Sequence, residues 1–244
     1  SGNIQVINKT NKPDYFDYAS WQKELYQSGA YGSQLSFWKE TLKDAPATHS
    51  LPVNLFRTEQ GNPPIQANKK QVASVATAPF SAELSHSLRM TAARLNCSLF
   101  ELMYGLFAIA TSASSESNDV LMGTAVAGRN RPELMDLVGF CVNTLVLRLQ
   151  VSPTDSVEKT LLKAIQVVRN AQDHQDVPFD YIVDEINPVR NASQNPLFQI
   201  MFLLDSVGPS NVYIADIPMK LMDPCEHKRK FDLTVSVKDS GADM

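Results

Sequence analysis

The chain is poor in most features that would mark it for export, metal binding or nucleic acid. It has three cysteines in 244 residues. Cys97, Cys141 and Cys225 stand far apart and in no Cys-x-x-Cys spacing, which argues against a disulfide framework or a cysteine-based zinc site and fits a reducing compartment. Of the four histidines, His49, His86 and His227 have no carboxylate or cysteine at ligand spacing, so no metal is expected. Basic residues are scattered apart from Lys228-Arg229-Lys230. With a net charge of −4 and a pI near 5.6, there is no electrostatic footprint for nucleic acid. The start, Ser1 to Gln5, lacks the basic and apolar parts of an export signal. The richest apolar stretch, Leu99 to Ala110, is interrupted by Glu101 and too short to span a bilayer. A cytoplasmic chain without membrane or nucleic-acid partners is expected.

No Gly-x-Gly-x-x-Gly, Walker or Gly-x-Ser-x-Gly motif occurs, which removes the commonest nucleotide-binding and hydrolase assignments. Ser193 and Ser206 lack the strand–turn–helix setting of an activated nucleophile. No internal repeat is evident.

What remains is ordinary globular composition, 43% hydrophobic and 20% charged, enough for one large domain or lobe. Residues 1–14 are polar and predict a linker or inter-lobe segment, with 15–244 as the folded unit. Tyr18, Trp21 and Leu25 share a helical face, and Leu35, Trp38 and Leu42 mark a second short helix. Residues 49–70, with Pro52, Gly61, Pro63 and Pro64, predict a long loop, and the alternation in residues 71–76 a strand. Ser81 and the Ser98/Glu101 capping box predict a helix pair, the second more buried. Strands are expected over 119–126, 141–149, 198–204 and 231–237. Asp155 with Glu158 predicts a capped helix bearing Val157, Leu161, Leu162, Ile165 and Val168, and Pro178 opens a further short one. Strands interleaved with helices predict an α/β layered fold, a mixed sheet covered by helices.

Few side chains carry a chemical signal. Asn143 is unusual in an apolar strand, and a buried amide must find hydrogen-bond partners. It is either a structural amide tied to a neighbouring loop or a group presented to a ligand. His174 lies close to Asp176, but residues two apart at a helix end do not share a face. His174 is therefore expected to interact with the helix dipole, with Asp176 capping the turn before Pro178. Arg129 and Arg131 flank Asn130 in a turn after a strand, where solvated charge is the simplest account.

Three blocks occur in fixed order: Val138-Gly139-Phe140-Cys141-Val142-Asn143-Thr144-Leu145, His174-Gln175-Asp176-Val177-Pro178-Phe179, and Asn195-Pro196-Leu197-Phe198-Gln199-Ile200-Met201-Phe202. Together they resemble the later motifs of nonribosomal peptide synthetase condensation domains. Asp17-Tyr18-Ala19-x-Trp21-Gln22, Phe37-Trp38-Lys39 and Phe231-Asp232-Leu233-Thr234 extend the match from about Tyr15 to the end. Cys141 departs from the family's usual aromatic, and Gln194 from its basic or polar residue. The family's catalytic His-His-x-x-x-Asp-Gly is absent.

The resemblance implies a chloramphenicol acetyltransferase-like lobe, half of a condensation-domain pseudo-dimer, and an ordinary condensation subtype. It implies amide formation between acyl groups carried on phosphopantetheine of carrier proteins, with no cofactor bound directly. It places Asn143, with Gly139, Arg129 and Arg131, along the substrate channel, where an arginine would steer a phosphopantetheine phosphate. It assigns no catalytic residue here and predicts inactivity for the chain alone. The expected partners are an N-terminal condensation lobe, donor and acceptor carrier domains and an adenylation domain, with self-association through an exposed lobe face. A carrier-docking module without chemistry, or an acyltransferase completed by a second chain, would share these features.

Overall fold

The structure is a computed structural model, and it describes residues 13–51, 75–188, 195–206, 212–214, 217–219 and 230–239. Helices α1 (Tyr15–Gln27) and α2 (Gly32–Thr41) come first, followed by α3 (Ala82–Arg94) and α4 (Leu99–Ala113). Strands β1 (Asp119–Val126) and β2 (Asn143–Gln150) precede α5 (Val157–Asp173) and α6 (Phe179–Ile186). Strand β3 (Ile200–Ser206), the short β4 (Val212–Ile214) and β5 (Ile217–Met219), and β6 (Leu233–Asp239) complete the order.

The main sheet runs β2-β1-β3-β6. β1 and β2 are antiparallel from Asp119↔Gln150 to Val126↔Asn143, while β1/β3 and β3/β6 are parallel. Residues Val120 to Thr124 of β1 are buried without interruption, as a central strand covered on both faces requires. On one face Phe202 meets Phe100 and Phe107 of α4. On the other, Phe198 fills the space above Gly123 and packs against Phe179 and Phe231. β4 and β5 form a separate antiparallel pair.

Local chemistry explains most helix starts. Asp14 and Asp17 form a reciprocal capping box at α1, so the helix begins where the aromatic pattern begins. Ser81 caps α3, and Ser98 and Glu101 cap α4 as their spacing predicts. α5 departs from expectation: Ser156 is its cap, its hydroxyl accepting from the Lys159 N–H, while the Asp155 carboxylate is taken by the Lys159 and Lys163 ammoniums at 2.6 Å each. Val157 and Leu162 are exposed, leaving Leu161, Ile165 and Val168 as its buried stripe. Pro178 is the cap of α6 rather than its first helical residue.

Strand limits also shift. β2 starts at Asn143 rather than 141, β3 at Ile200 rather than 198, and β6 at Leu233 rather than 231. Pro196 lies outside β3 because Leu197 turns the backbone at φ 69°, and the ladder begins beyond that turn. Val75 and Ala76 lie in no strand. The rest of that expected strand, most of the 49–70 loop and residues 1–12 of the expected linker lie outside the described residues.

Glu101 ties the helix pair to α5. Its carboxylate accepts the Ser98 N–H at 2.6 Å and the Arg169 Nε at 2.7 Å. Burial would raise this carboxyl, but the hydrogen bonds from Arg169 and Ser98 hold it below the usual range. A depressed carboxyl contributes stability above its unfolded value, and that stability is lost as pH falls through the folded value. Glu101→Gln is therefore expected to lower the melting temperature by several degrees at neutral pH. The gap should close in melts taken toward pH 3.

Among the described residues no single helix is long and apolar enough to cross a membrane. The α3/α4 pair meets that test only jointly, across a 105° bend, and α4 is the core helix against Phe202.

Candidate functional site: the carboxyl ends of the sheet

The parallel strands β1, β3 and β6 point their carboxyl ends the same way, and β2 enters the sheet there at Asn143. In open α/β sheets ligands bind outside those ends. The segment 127–142 leaves β1 at this edge and returns to β2 through a 3-10 turn at Pro132–Leu134.

This loop is held from within and by α1. Gly128 sits at φ +64°, where a Cβ would fall 1.8 Å from the Cys141 carbonyl oxygen, so the two loop ends cross only because no side chain intervenes. Gly139 lies against the Tyr15 ring, where a Cβ would come within 2.3 Å of Cδ2. The Tyr15 hydroxyl donates to the Phe140 carbonyl at 3.2 Å. Arg129 turns inward and donates to the Leu134 carbonyl and, at 3.5 Å, to that of Gly139. Arg131 stacks its guanidinium 4.6 Å from the centre of the Trp21 ring, a cation–π contact. Beneath lie Tyr18, Leu134, Leu137 and Cys141, buried together. The loop's outer side is apolar: Val138 is 92% exposed and Phe140 74%, with Met135 and Val142 also exposed, and α1 adds Phe16 at 80%.

Asn143 is bonded entirely to backbone. Its Nδ2 donates to the carbonyls of Gln175 at 2.9 Å and Val177 at 2.8 Å. Its Oδ1 accepts the N–H of Thr144 at 2.8 Å and of Phe179 at 3.0 Å. Those four bonds use the whole capacity of a primary amide. Phe179 opens α6, whose own cap residue supplies no side-chain bond, so Asn143 caps that helix from across the fold.

The turn between α5 and α6 is a junction. The Asp176 carboxylate accepts the Gln34 Nε2 at 3.1 Å through one oxygen and the Asn130 Nδ2 at 2.5 Å through the other. Its own N–H donates to Gln34 Oε1 at 3.2 Å. Asp176 thus joins α2 to the 127–142 loop and does not cap α6. His174 is the C-cap of α5, its ring stacked on Phe37 at 3.8 Å and its Nδ1 2.7 Å from the Asn170 carbonyl, while its own carbonyl accepts the Trp38 indole N–H. Below, Tyr31 is 3% exposed and its hydroxyl has no hydrogen-bond partner. Burial, then the Asp176 charge, push that hydroxyl up to about 12.

Gly139 and Arg129 are thus brought together, Arg131 lies on α1, and Asn143 secures the adjacent turn. Sequence reasoning missed Asn130 and Gln34 as polar anchors, because neither stands in a local pattern and each finds Asp176 only through the fold. At the opposite, amino ends of β1 and β3 a cavity of about 20 Å³, lined by His49, Thr111, Asp119 and Gln199 among others, has room for a single water. No group of three or more metal-ligating side chains occurs among the described residues.

The four-stranded mixed sheet with its covering helices is a chloramphenicol acetyltransferase-like fold. The X-domain from teicoplanin biosynthesis superposes with a TM-score of 0.77 at 18% identity, covering 93% of this chain and 51% of that one. The condensation domain of the Monacolin K polyketide synthase MokA gives 0.74 at 18%, covering 94% and 54%. The chain belongs to the Condensation domain family, which matches residues 4–244. It is 32% identical over 228 residues to a linear gramicidin synthase of Brevibacillus parabrevis, and 34% over 226 residues to phosphinothricin tripeptide synthetase PhsC of Streptomyces viridochromogenes. It spans 4% and 20% of those relatives, against 93% and 92% of itself. The family's members form amide bonds within peptide synthetases from substrates carried on phosphopantetheine.

Proposed function

We propose that this chain is the C-terminal lobe of a condensation domain and forms one side of the tunnel in which two carrier-bound acyl groups are joined. The amine of the acceptor attacks the donor thioester carbonyl. A C–N bond forms, the C–S bond breaks, and the amine's proton passes to the departing phosphopantetheine thiol. Thioesters are activated enough for positioning to supply much of the rate. The observation that carries the reading is the family match across nearly the whole chain together with coverage of only about half of the solved single-domain relatives. Two further features support it: the sequence contains no His-His-x-x-x-Asp-Gly, and Val138, Phe140 and Val142 are apolar side chains exposed beside the candidate site, as a surface made to meet another lobe would be.

In this reading Gly139, Asn143, Arg129 and Arg131 shape the channel rather than react, and the phosphopantetheine arms are substrates rather than resident cofactors. The partners are the N-terminal lobe, donor and acceptor carrier domains and an adjacent adenylation domain, in the cytoplasm. The purified chain is expected to make no dipeptide from two loaded carrier proteins, and the protein that joins it to a His-His-x-x-x-Asp-Gly lobe is expected to make it. Dipeptide from the chain alone would overturn the reading. The chain alone should also self-associate in sedimentation, and Val138→Ser with Phe140→Ser should reduce that association.

A further inference from the structure

We propose that Asp176 and Asn130 form a clasp that positions the 127–142 loop for amide formation, an inference that rests on the function proposed above. Asn130 lies between Arg129 and Arg131 at the carboxyl end of β1 and donates to Asp176 at 2.5 Å. Arg129 holds the loop to itself, Tyr15 and Arg131 hold it to α1, and the Asn130 bond reaches the turn between α5 and α6. The clasp ties the loop to the frame made by α2, the α5–α6 turn and Asn143. It therefore sets how the loop sits over the sheet end, and with it the floor on which the acyl groups meet. Asp176 and Asn130 are positioning residues, since neither needs to touch the reacting atoms.

The hydrogen-bond polarity makes the clasp testable by exchange. Asp176 accepts from Asn130 through one oxygen, and its pairing with Gln34 is reciprocal through the other oxygen and its own N–H. Gln34 is held in one amide orientation by that reciprocity, whereas Asn130 has the freedom to present either end of its amide. Asp176→Asn keeps an oxygen toward Gln34 and turns an NH2 toward position 130, where the Asn130 amide rotates to accept it. Asn130→Asp places two carboxylates face to face, which like charges at that distance oppose. The double exchange, Asn130→Asp with Asp176→Asn, restores one donor facing one acceptor and leaves Gln34 undisturbed.

In the protein that carries this chain, Asn130→Asp is expected to lower kcat for amide formation roughly tenfold or more, with little change in KM for the carriers, because small misplacements at a reacting centre are costly. Asp176→Asn should stay within about threefold of the parent, and the double exchange should return to within about threefold as well. Trypsin cleavage after Arg129 should be faster in Asn130→Asp and normal in the double exchange. Where Asn130→Asp fails to accumulate, Asn130→Ala takes its place, with a smaller loss of kcat and faster cleavage expected. The proposal is overturned by parental kcat in Asn130→Asp, or by a double exchange as impaired as Asn130→Asp at the parental melting temperature. A parent that forms no amide bond sinks the proposed function instead. The clasp is then judged by trypsin, and cleavage after Arg129 at equal rates in parent and Asn130→Asp overturns it.

Discussion

Asn143→Leu is expected to destabilise the fold by about 4 kcal/mol, since a stranded buried polar group costs about 1–3 kcal/mol and four lose their partner here. Leucine nearly matches the shape of asparagine but leaves the Gln175 and Val177 carbonyls and the Thr144 and Phe179 N–H groups without the bonds they now share with one amide. The start of α6 and the turn before it loosen together. Asn143→Asp is also damaging, because it keeps the acceptor toward Phe179 and Thr144 but sets a negative oxygen against two carbonyls. Urea unfolding measures the effect as a shifted midpoint with an unchanged slope. A loss of amide formation with less than about 1 kcal/mol of destabilisation would instead place the Asn143 amide on the substrate.

Arg148→Met is expected to cost about 3 kcal/mol, the range found when one partner of a buried ion pair is removed. Arg148 on β2 holds both oxygens of Asp119 on β1, with Nε at 3.0 and 3.2 Å and Nη2 at 2.6 Å. The same guanidinium donates to the carbonyls of Thr41 at 2.9 Å and Lys43 at 2.6 Å, fixing the end of α2 beside the sheet. Its side chain is 11% exposed, so water does little to replace these bonds. Methionine fills the stem's volume and removes every donor, leaving the Asp119 carboxylate and the two carbonyls unmatched. Thermal unfolding of Arg148→Met beside Asp119→Asn separates the parts: the second variant keeps the anchor to α2 and should lose less. Equal stability of Arg148→Met and the parent would refute the role.

The same residues show what a linear reading reaches. The capping boxes at α1 and α4 are contained within four consecutive residues, so Ser98 with Glu101 predicted a helix start that the fold keeps. At α5 two candidate caps compete one residue apart, and the choice fell to Ser156 because two lysines one turn and two turns on capture Asp155. The short pair β4 and β5 was missed because three-residue strands carry almost no periodicity. The odd position of an amide within an apolar run was legible at Asn143, and so was the alternative that it serves a neighbouring loop; that it heads β2 was not. Which turn, and that one side chain would bond four backbone groups, was not legible, because three of those groups lie 32 to 36 residues away.

The sequence by itself determined the α/β class, most helix starts, the order of the blocks at Gly139–Asn143, His174–Phe179 and Asn195–Phe202, and through them the family. Those properties rest on short-range patterns of apolar spacing, caps and motif residues. The tertiary structure decided which polar groups meet: Asp176 turned from a local cap into the link between Gln34 and Asn130, Arg129 folded back onto its own loop, and Arg131 went to Trp21. Side-chain hydrogen bonds act over about 3 Å, and only the packing of α1, α2 and the α5–α6 turn around the sheet end brings residues separated by tens to more than a hundred positions within that reach.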